Sequence, residues 1–258
     1  MPDLSIIIVS FNARADLERC LESLQAAPPA VPHEILVVDN GSTDGSADAA
    51  RRRPRVQVIP AGGNLGFARV NNIGIRASSG HTILLLNSDT IVPPGAIDRL
   101  LAELDRHPEA AVAGPRLVDG AGRAELSFGR MIGPWNELRQ KRLARSAAVE
   151  TLTRQPQYPD WVSGACLLVR RADADAVGGL DERYFMYTED VDFCAAIRVR
   201  GRKILFVPDV EVVHLRGRSA ASAPAATREH YRRSQLAFYE KHLPLWAPLL
   251  KLYVRIFS

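Results

Sequence analysis

Hydrophobic positions in the first half of the chain switch repeatedly between two-faced apolar runs and helical spacing. Leu-Ser-Ile-Ile-Ile-Val (4–9) is β-branched and apolar on both faces, which predicts a buried strand. Leu17, Leu21 and Leu24 recur at helical intervals and predict a helix over about 14–26. A second strand runs from Ile35 to Val38 and ends at Asp39, a helix over about 44–53 is stopped by Pro54, and Val56 to Ile59 is a third strand. A helix over about 66–78 and a strand over about 82–86 follow, and Pro93-Pro94 opens a helix reaching about His107.

Strands apolar on both faces belong in a mostly parallel sheet covered by helices, and repeated βα units with right-handed crossovers give an α/β, Rossmann-like open sheet. Such a sheet takes ligands at the carboxyl ends of its strands. Three polar segments sit there: Ser10-Phe11-Asn12, Asp39-Asn40-Gly41-Ser42-Thr43-Asp44 and Asn87-Ser88-Asp89. The second half is less regular. Residues 123–157 are weakly patterned and basic, with seven Lys or Arg against three Glu. Trp161 to Val169 reads as a strand, Glu189 to Arg200 as a helix N-capped by Thr188, and 203–207 and 210–214 as short strands. A polar loop over 217–225 leads to a helix over about 227–242.

Composition narrows the class. The chain has 258 residues, 47% of them hydrophobic, which suits one large α/β domain with a C-terminal helical appendage. A net charge of +4 is too small an excess to name nucleic acid as a partner, but it suits an anionic small ligand or an anionic membrane surface. Three cysteines (Cys20, Cys166, Cys194) without CxxC spacing argue against a disulfide framework and a zinc site. No secretory signal opens the sequence and no apolar run reaches the roughly 18 residues of a membrane span, so a cytoplasmic location is the simplest expectation.

Several residues invite chemistry. Asp39 can accept a hydrogen bond from the N3–H of a pyrimidine base, with Phe11 as an apolar contact; the same Asp-Asn-Gly-Ser is also plain turn chemistry. Asp89 can hold a divalent cation that bridges two phosphates, and His214 can complete its shell, suiting Mg²⁺ or Mn²⁺. Thr-Glu-Asp-Val-Asp (188–192) is the densest acid cluster, preceded by the aromatic run Tyr184-Phe185-Met186-Tyr187. Its acids can complement a helix dipole or serve as a general base whose pKa the helix N-terminus lowers. Arg216 and Arg218 could hold a diphosphate. Gly62-Gly63-Asn64-Leu65-Gly66 follows the third strand, not the first, which argues against a nicotinamide enzyme.

The ordered set of motifs resembles the family 2 glycosyltransferases of the GT-A fold, in their rhamnosyltransferase-like branch. The matching segments are 6–12, 37–45 (Val-Val-Asp-Asn-Gly-Ser-Thr-Asp-Gly), 64–74, 85–90 (Leu-Leu-Asn-Ser-Asp-Thr), 161–166, 178–192 and 212–214. The resemblance implies a GT-A domain over 1–222, with a nucleotide-binding half to about 120, an acceptor half over about 121–222, and a helical segment over 223–258. It implies an inverting, metal-dependent transfer of a sugar, rhamnose among the candidates, from a dTDP- or UDP-linked donor. The acceptor would be a hydroxyl of a glycan or polyprenyl-diphosphate-linked molecule in cell-wall or surface polysaccharide synthesis. Asp190 then looks like the catalytic base. Asp39 looks like the base-binding acid, Asp89 like the last acid of a DxD motif, and His214 like an auxiliary metal ligand. Ser10, Phe11, Asn12, Asp44, Asn64, Gly66, Arg69, Asn87 and Ser88 fall on the nucleotide-sugar side, and Trp161 and Glu189 on the acceptor side.

One departure is that Asn87 replaces the first acid of DxD, so the site carries less charge there. Two rival readings are a non-catalytic nucleotide-sugar-binding protein and a sugar nucleotidyltransferase, the latter disfavoured because no glycine-rich basic loop follows the first strand. The C-terminal stretch from Leu243 to Phe257 is heavily apolar, with Lys251 and Arg255 at i, i+4. It reads either as an interfacial helix on anionic lipid, on the inner face of the plasma membrane, or as a packing or dimer contact.

Overall fold

The computed structural model describes residues 2–215 and 224–256. A central eight-stranded sheet has the order β3-β2-β1-β4-β9-β6-β10-β5. Its left half is parallel: β1 (Leu4–Ser10) lies between β2 (His33–Asp39) and β4 (Thr82–Asn87), with β3 (Val56–Pro60) outside β2. Strand β9 (Cys166–Arg170) inserts antiparallel between β4 and β6 (Ala110–Val118). β10 (Lys203–His214) runs parallel to β6, and β5 (Thr90–Ile91) closes the edge antiparallel to β10. A ribbon of β7 (Phe128–Gly129) and β8 (Trp161–Val162) stands apart.

The two-faced strands sort as their alternation requires. Leu4, Ile6 and Ile8 of β1 pack against α1 (Arg14–Ala26) and α4 (Ala96–Arg106) on one face. Ile7 and Val9 face α3 (Phe67–Ala77) and α8 (Glu189–Val199) on the other. α2 (Ser46–Arg51), α5 (Pro134–Leu143), α6 (Ala148–Leu152) and α7 (Arg171–Ala176) are the other described helices before the C-terminal part. The C-terminal part is α9 (Pro224–His242) and α10 (Ala247–Ile256).

Four sequence expectations change. Residues 161–169 are not one strand: the chain leaves the β7–β8 ribbon at Val162, turns through Ser163-Gly164-Ala165 and enters the main sheet as β9. The two short strands over 203–214 are one, with an irregularity between Val207 and Glu211 that keeps pairing with β6 continuous. Pro93-Pro94 precede α4 without opening it; Gly95, at φ +70°, makes the turn into its first residue, Ala96. Thr188 does not cap α8, because its left-handed backbone (φ +65°) leaves its hydroxyl without a cap bond.

Candidate active site

The carboxyl ends of β1, β2 and β4 lie side by side. Ser10 pairs in register with Asp39, and Val9 with Asn87. Buried polar atoms are normally hydrogen-bonded, so a row of them without a protein partner calls for an explanation, such as a ligand or an ordered water. Ser10 Oγ, Asp39 Oδ1 and Asn87 Oδ1 are all buried and lack a hydrogen-bond partner. All three belong to the last residues of these neighbouring strands.

Asp39 uses only one of its two carboxylate oxygens. Its Oδ2 accepts from the Ser42 N–H at 3.3 Å, closing the turn, while Oδ1 stays free. Phe11 stands 42% exposed next to this edge, an uncommon setting for a large apolar ring. Asn12 and Asp44 also make bonds within the loops. Asn12 Oδ1 accepts from the Thr43 N–H at 2.8 Å, and Asp44 accepts from the Arg14 and Ser46 N–H groups at 2.9 and 3.0 Å. Partial burial works against the Asp44 charge, but bonds from Ser46 and Arg14 outweigh it and hold the carboxyl below its usual range.

Asn64 is likewise engaged: its Oδ1 accepts from Asn40 Nδ2 at 2.9 Å, fixing the loop before α3. Gly66 is a close-approach glycine. At φ +85° a Cβ there would lie 2.5 Å from the Phe185 carbonyl oxygen, and the next residue's N–H donates to that same oxygen at 2.6 Å. Arg69 is mostly exposed and faces Glu182 at 3.6 Å. These residues therefore tie the start of α3 to the segment before α8, while Ser10, Asp39 and Asn87 keep their atoms free.

Asp190 reaches the same edge through a short bonded path. Asn87 N–H donates to the Ala165 carbonyl at 2.9 Å, and the N–H of neighbouring Gly164 donates to Asp190 Oδ2 at 2.8 Å. Asp190 Oδ1 accepts from the Val191 N–H at 2.8 Å. Sequence reasoning expected the helix N-terminus to lower this pKa. Instead desolvation by burial outweighs those N–H bonds and raises it. Glu189 is buried, its Oε2 has no partner, and burial together with the Asp190 charge raises its pKa strongly. It is thus a neighbour of Asp190 at the start of α8, with one carboxylate oxygen left unpartnered. Trp161 is half-buried, and its indole N–H donates to the Arg130 carbonyl at 2.9 Å.

On the other flank, the turn Ser88-Asp89 leads into β5, whose Thr90 pairs with His214. This register brings His214 Nε2 to 3.4 Å from Asp89 Oδ1, while Nδ1 donates to Glu125 at 3.2 Å. Burial opposes charge on the ring, but Asp89 and Glu125 outweigh it and push the pKa up to about 9. Sequence reasoning missed Glu125, which lies in the unpatterned basic stretch; only the fold reveals a buried carboxylate behind the histidine. Among the described residues no three His, Cys, Asp or Glu side chains form a ready-made cage. Asp89 Oδ1 and His214 Nε2 face each other across that contact, where a cation would take the place of the ring proton on Nε2. Phosphate oxygens and water ordinarily complete such a shell. Arg216 and Arg218 lie outside the described residues.

The family described as Glycosyl transferase family 2 matches residues 5–173. The chain is a family 2 glycosyltransferase. An N-acetylglucosaminyl-diphospho-decaprenol L-rhamnosyltransferase of Mycobacterium tuberculosis (strain CDC 1551 / Oshkosh) is 34% identical over 278 residues, covering 95% of this chain and 87% of that protein. The rhamnosyltransferase WbbL of Escherichia coli (strain K12) is 26% identical, covering 81% of this chain and 82% of its own. Among solved structures, the mannosyltransferase PcManGT from Pyrobaculum calidifontis, in complex with GDP-Man and Mn²⁺, superposes with a TM-score of 0.66 at 18% identity, covering 97% of this chain and 68% of its own. GalNAc-T7 with UDP, GalNAc and Mn²⁺ gives a TM-score of 0.62 at 19% identity; 83% of this glycosyltransferase covers only 43% of that chain. These neighbours establish the GT-A fold, and the family membership sets aside the nucleotidyltransferase reading.

Proposed function

We propose that this glycosyltransferase moves a sugar, rhamnose in the first instance, from a dTDP- or UDP-linked donor to a hydroxyl of a polyprenyl-diphosphate-linked glycan, with inversion. The observation that carries the reading is the row of unpartnered buried atoms on Ser10, Asp39 and Asn87, with Asp190 bonded in beside it. Asp39 Oδ1 is suited to the N3–H of a uracil or thymine ring, with Phe11 against the base. Asn87 Oδ1 can accept from a ribose hydroxyl. The acceptor hydroxyl approaches C1 opposite the nucleotide, Asp190 takes its proton, the new C1–O bond forms and the C1–O bond to the diphosphate breaks. A single in-line displacement inverts C1. Asp89 and His214 would hold a Mg²⁺ or Mn²⁺ ion, which neutralises charge on the leaving diphosphate when bound. The acceptor class rests on the Mycobacterium tuberculosis relative and brings the reaction to a membrane surface.

The test is a donor screen with an N-acetylglucosaminyl-diphospho-prenol acceptor, reporting turnover and product anomeric configuration. Transfer from no dTDP- or UDP-sugar, or retention at C1, overturns the proposal. Asp39→Asn keeps the turn acceptor but presents an amide to the base, so it is expected to weaken donor binding about tenfold or more by calorimetry. Unchanged affinity removes Asp39 from the base contact. Glu125 holds His214 with Nε2 toward Asp89, as carboxylates behind metal-bound histidines do. Glu125→Gln is therefore expected to weaken Mn²⁺ binding about tenfold, read by paramagnetic resonance in the presence of nucleotide. Equal Mn²⁺ affinity separates Glu125 from the ion.

A further inference from the structure

The end of α9, the α9–α10 turn and the outer face of α5 carry apolar and cationic side chains that the interior does not use. α10 has two apolar faces. Ala247 and Leu250 turn inward, while Leu249, Leu252 and Tyr253 are exposed on a second stripe. Leu245 and Trp246, in the turn just before it, are exposed as well, Leu245 at 90%. The start of α5 meets this turn, since Gly133 lies against Leu243 and Glu137 bonds Tyr239 at 2.6 Å and Gln235 on α9. On α5, Trp135, Leu138, Arg139 and Arg142 share one helical face at i, i+3, i+4 and i+7, and Trp135 is 78% exposed. α5 buries no side chain of its own.

Charge decides what this surface meets. Neither 138–149 nor 241–256 contains an Asp or Glu. Arg139, Lys141, Arg142 and Arg145 are all exposed on or just after α5, and Lys251 and Arg255 flank the stripe on α10, Lys251 pairing with Glu240 at 2.7 Å. Two copies meeting through this face would press like charges together. An anionic lipid surface would pair them while taking up the apolar side chains, the arrangement of an interfacial helix. Tryptophans between apolar and cationic neighbours suit the headgroup level.

We propose that the α5–α10 surface docks this glycosyltransferase on an anionic bilayer. No helix among the described residues is long and apolar enough to cross a membrane, so the contact is one that lies on the surface. It is also close to the chemistry. Trp161, Leu243 and Leu250 pack against the same buried cluster of Tyr184, Val191, Phe238, Tyr239 and Ala247, and Gly164, three residues after Trp161, holds Asp190.

The experiment is flotation of the full chain with vesicles of phosphatidylcholine alone or with 30 mol% phosphatidylglycerol, followed by tryptophan emission. The wild type is expected to float with the anionic vesicles, to be released by high salt, and to shift its emission to the blue. Leu249→Asn with Leu252→Asn, and separately Arg139→Gln with Arg142→Gln, should each reduce the bound fraction about tenfold at unchanged circular dichroism. Trp135→Phe with Trp246→Phe should remove the blue shift, leaving Trp161 emission that vesicles do not change. Failure of the wild type to bind anionic vesicles overturns the proposal. So does binding that none of these variants weakens, or a dimer in solution that the leucine variant dissociates without any lipid binding. None of these readouts uses sugar transfer, so failure here is distinct from failure of the proposed reaction.

Discussion

Asp190→Asn is expected to lower kcat about 10³-fold while leaving the donor dissociation constant within about twofold, because a positioned general base contributes roughly 10²–10⁴ in rate. The substitution keeps the shape of the side chain and one acceptor for the Gly164 and Val191 N–H groups, but removes the lone pair that takes the proton. The sign of the pKa shift adds a second readout. Burial raises the Asp190 pKa above its ordinary 3.8, so the active anion is lost as pH falls through that raised value. The acidic limb of the kcat profile should therefore lie above pH 3.8 and be absent from whatever activity the variant retains. Linkage runs the same way for stability. A carboxyl whose folded pKa is raised favours the fold most below its unfolded pKa, and that contribution is lost as pH rises through the folded one. At neutral pH ionised Asp190 thus costs stability. The amide removes that charge at the loss of one acceptor, and the melting temperature should stay close to wild type. Wild-type turnover in this variant, or loss of donor binding in parallel with rate, would sink the base assignment.

Much of this arrangement could be seen in the chain before any coordinates. The runs at 4–9, 35–38 and 82–86 are apolar on both faces because helices cover both sides of the sheet, and that alone points to the strand ends bearing Ser10, Asp39 and Asn87. What stayed hidden was non-local. β6 is the longest fully buried strand, yet its Ala, Gly and Pro content (Ala-Ala-Val-Ala-Gly-Pro-Arg-Leu-Val) muted the signal, and its place depends on β9 arriving from over fifty residues later. Ser163-Gly164 broke an apparently continuous strand because Gly164 must approach Asp190 closely; a Cβ there would sit 3.2 Å from the Asp190 Cβ. Motif residues also divided by what they bond. Asn12, Asp44 and Asn64 serve loop geometry, and Gly66 serves close packing, which spacing alone does not separate from ligand contact. The direction of the Asp190 shift depends on how deeply the α8 start is packed, a property of the whole fold.

Asp192→Ala is expected to have the largest effect on stability, about 3 kcal/mol, measured by urea denaturation with an unchanged slope. Asp192 is only 2% exposed and joins three elements. Its Oδ1 accepts from the Tyr184 hydroxyl at 3.1 Å and from His242 Nε2 at 2.6 Å, and its Oδ2 accepts from Lys241 Nζ at 2.8 Å. Removing the carboxylate leaves the buried Tyr184 hydroxyl and two groups at the end of α9 without their common partner. Lys241 and His242 are each about a quarter exposed, so water recovers part of the loss and places the cost at the lower end of the range for breaking a buried pair. Asp181→Ala provides the comparison. Lys241 also bonds Asp181 at 2.8 Å, but Asp181 is more exposed, and its loss should cost about 1 kcal/mol or less. The functional consequence follows from position. Tyr187 and Thr188 hold left-handed backbones just before Asp190, a conformation that persists only where neighbours enforce it. α9 supplies those neighbours: His230 stacks on Phe185 at 4.5 Å, Ser234 bonds the Met186 carbonyl at 2.7 Å, and Lys241 with His242 lock Asp192. The helix beyond the sheet therefore positions the segment that carries Asp190. If Asp192→Ala unfolds with the same midpoint as wild type, the network is not what holds that segment in place.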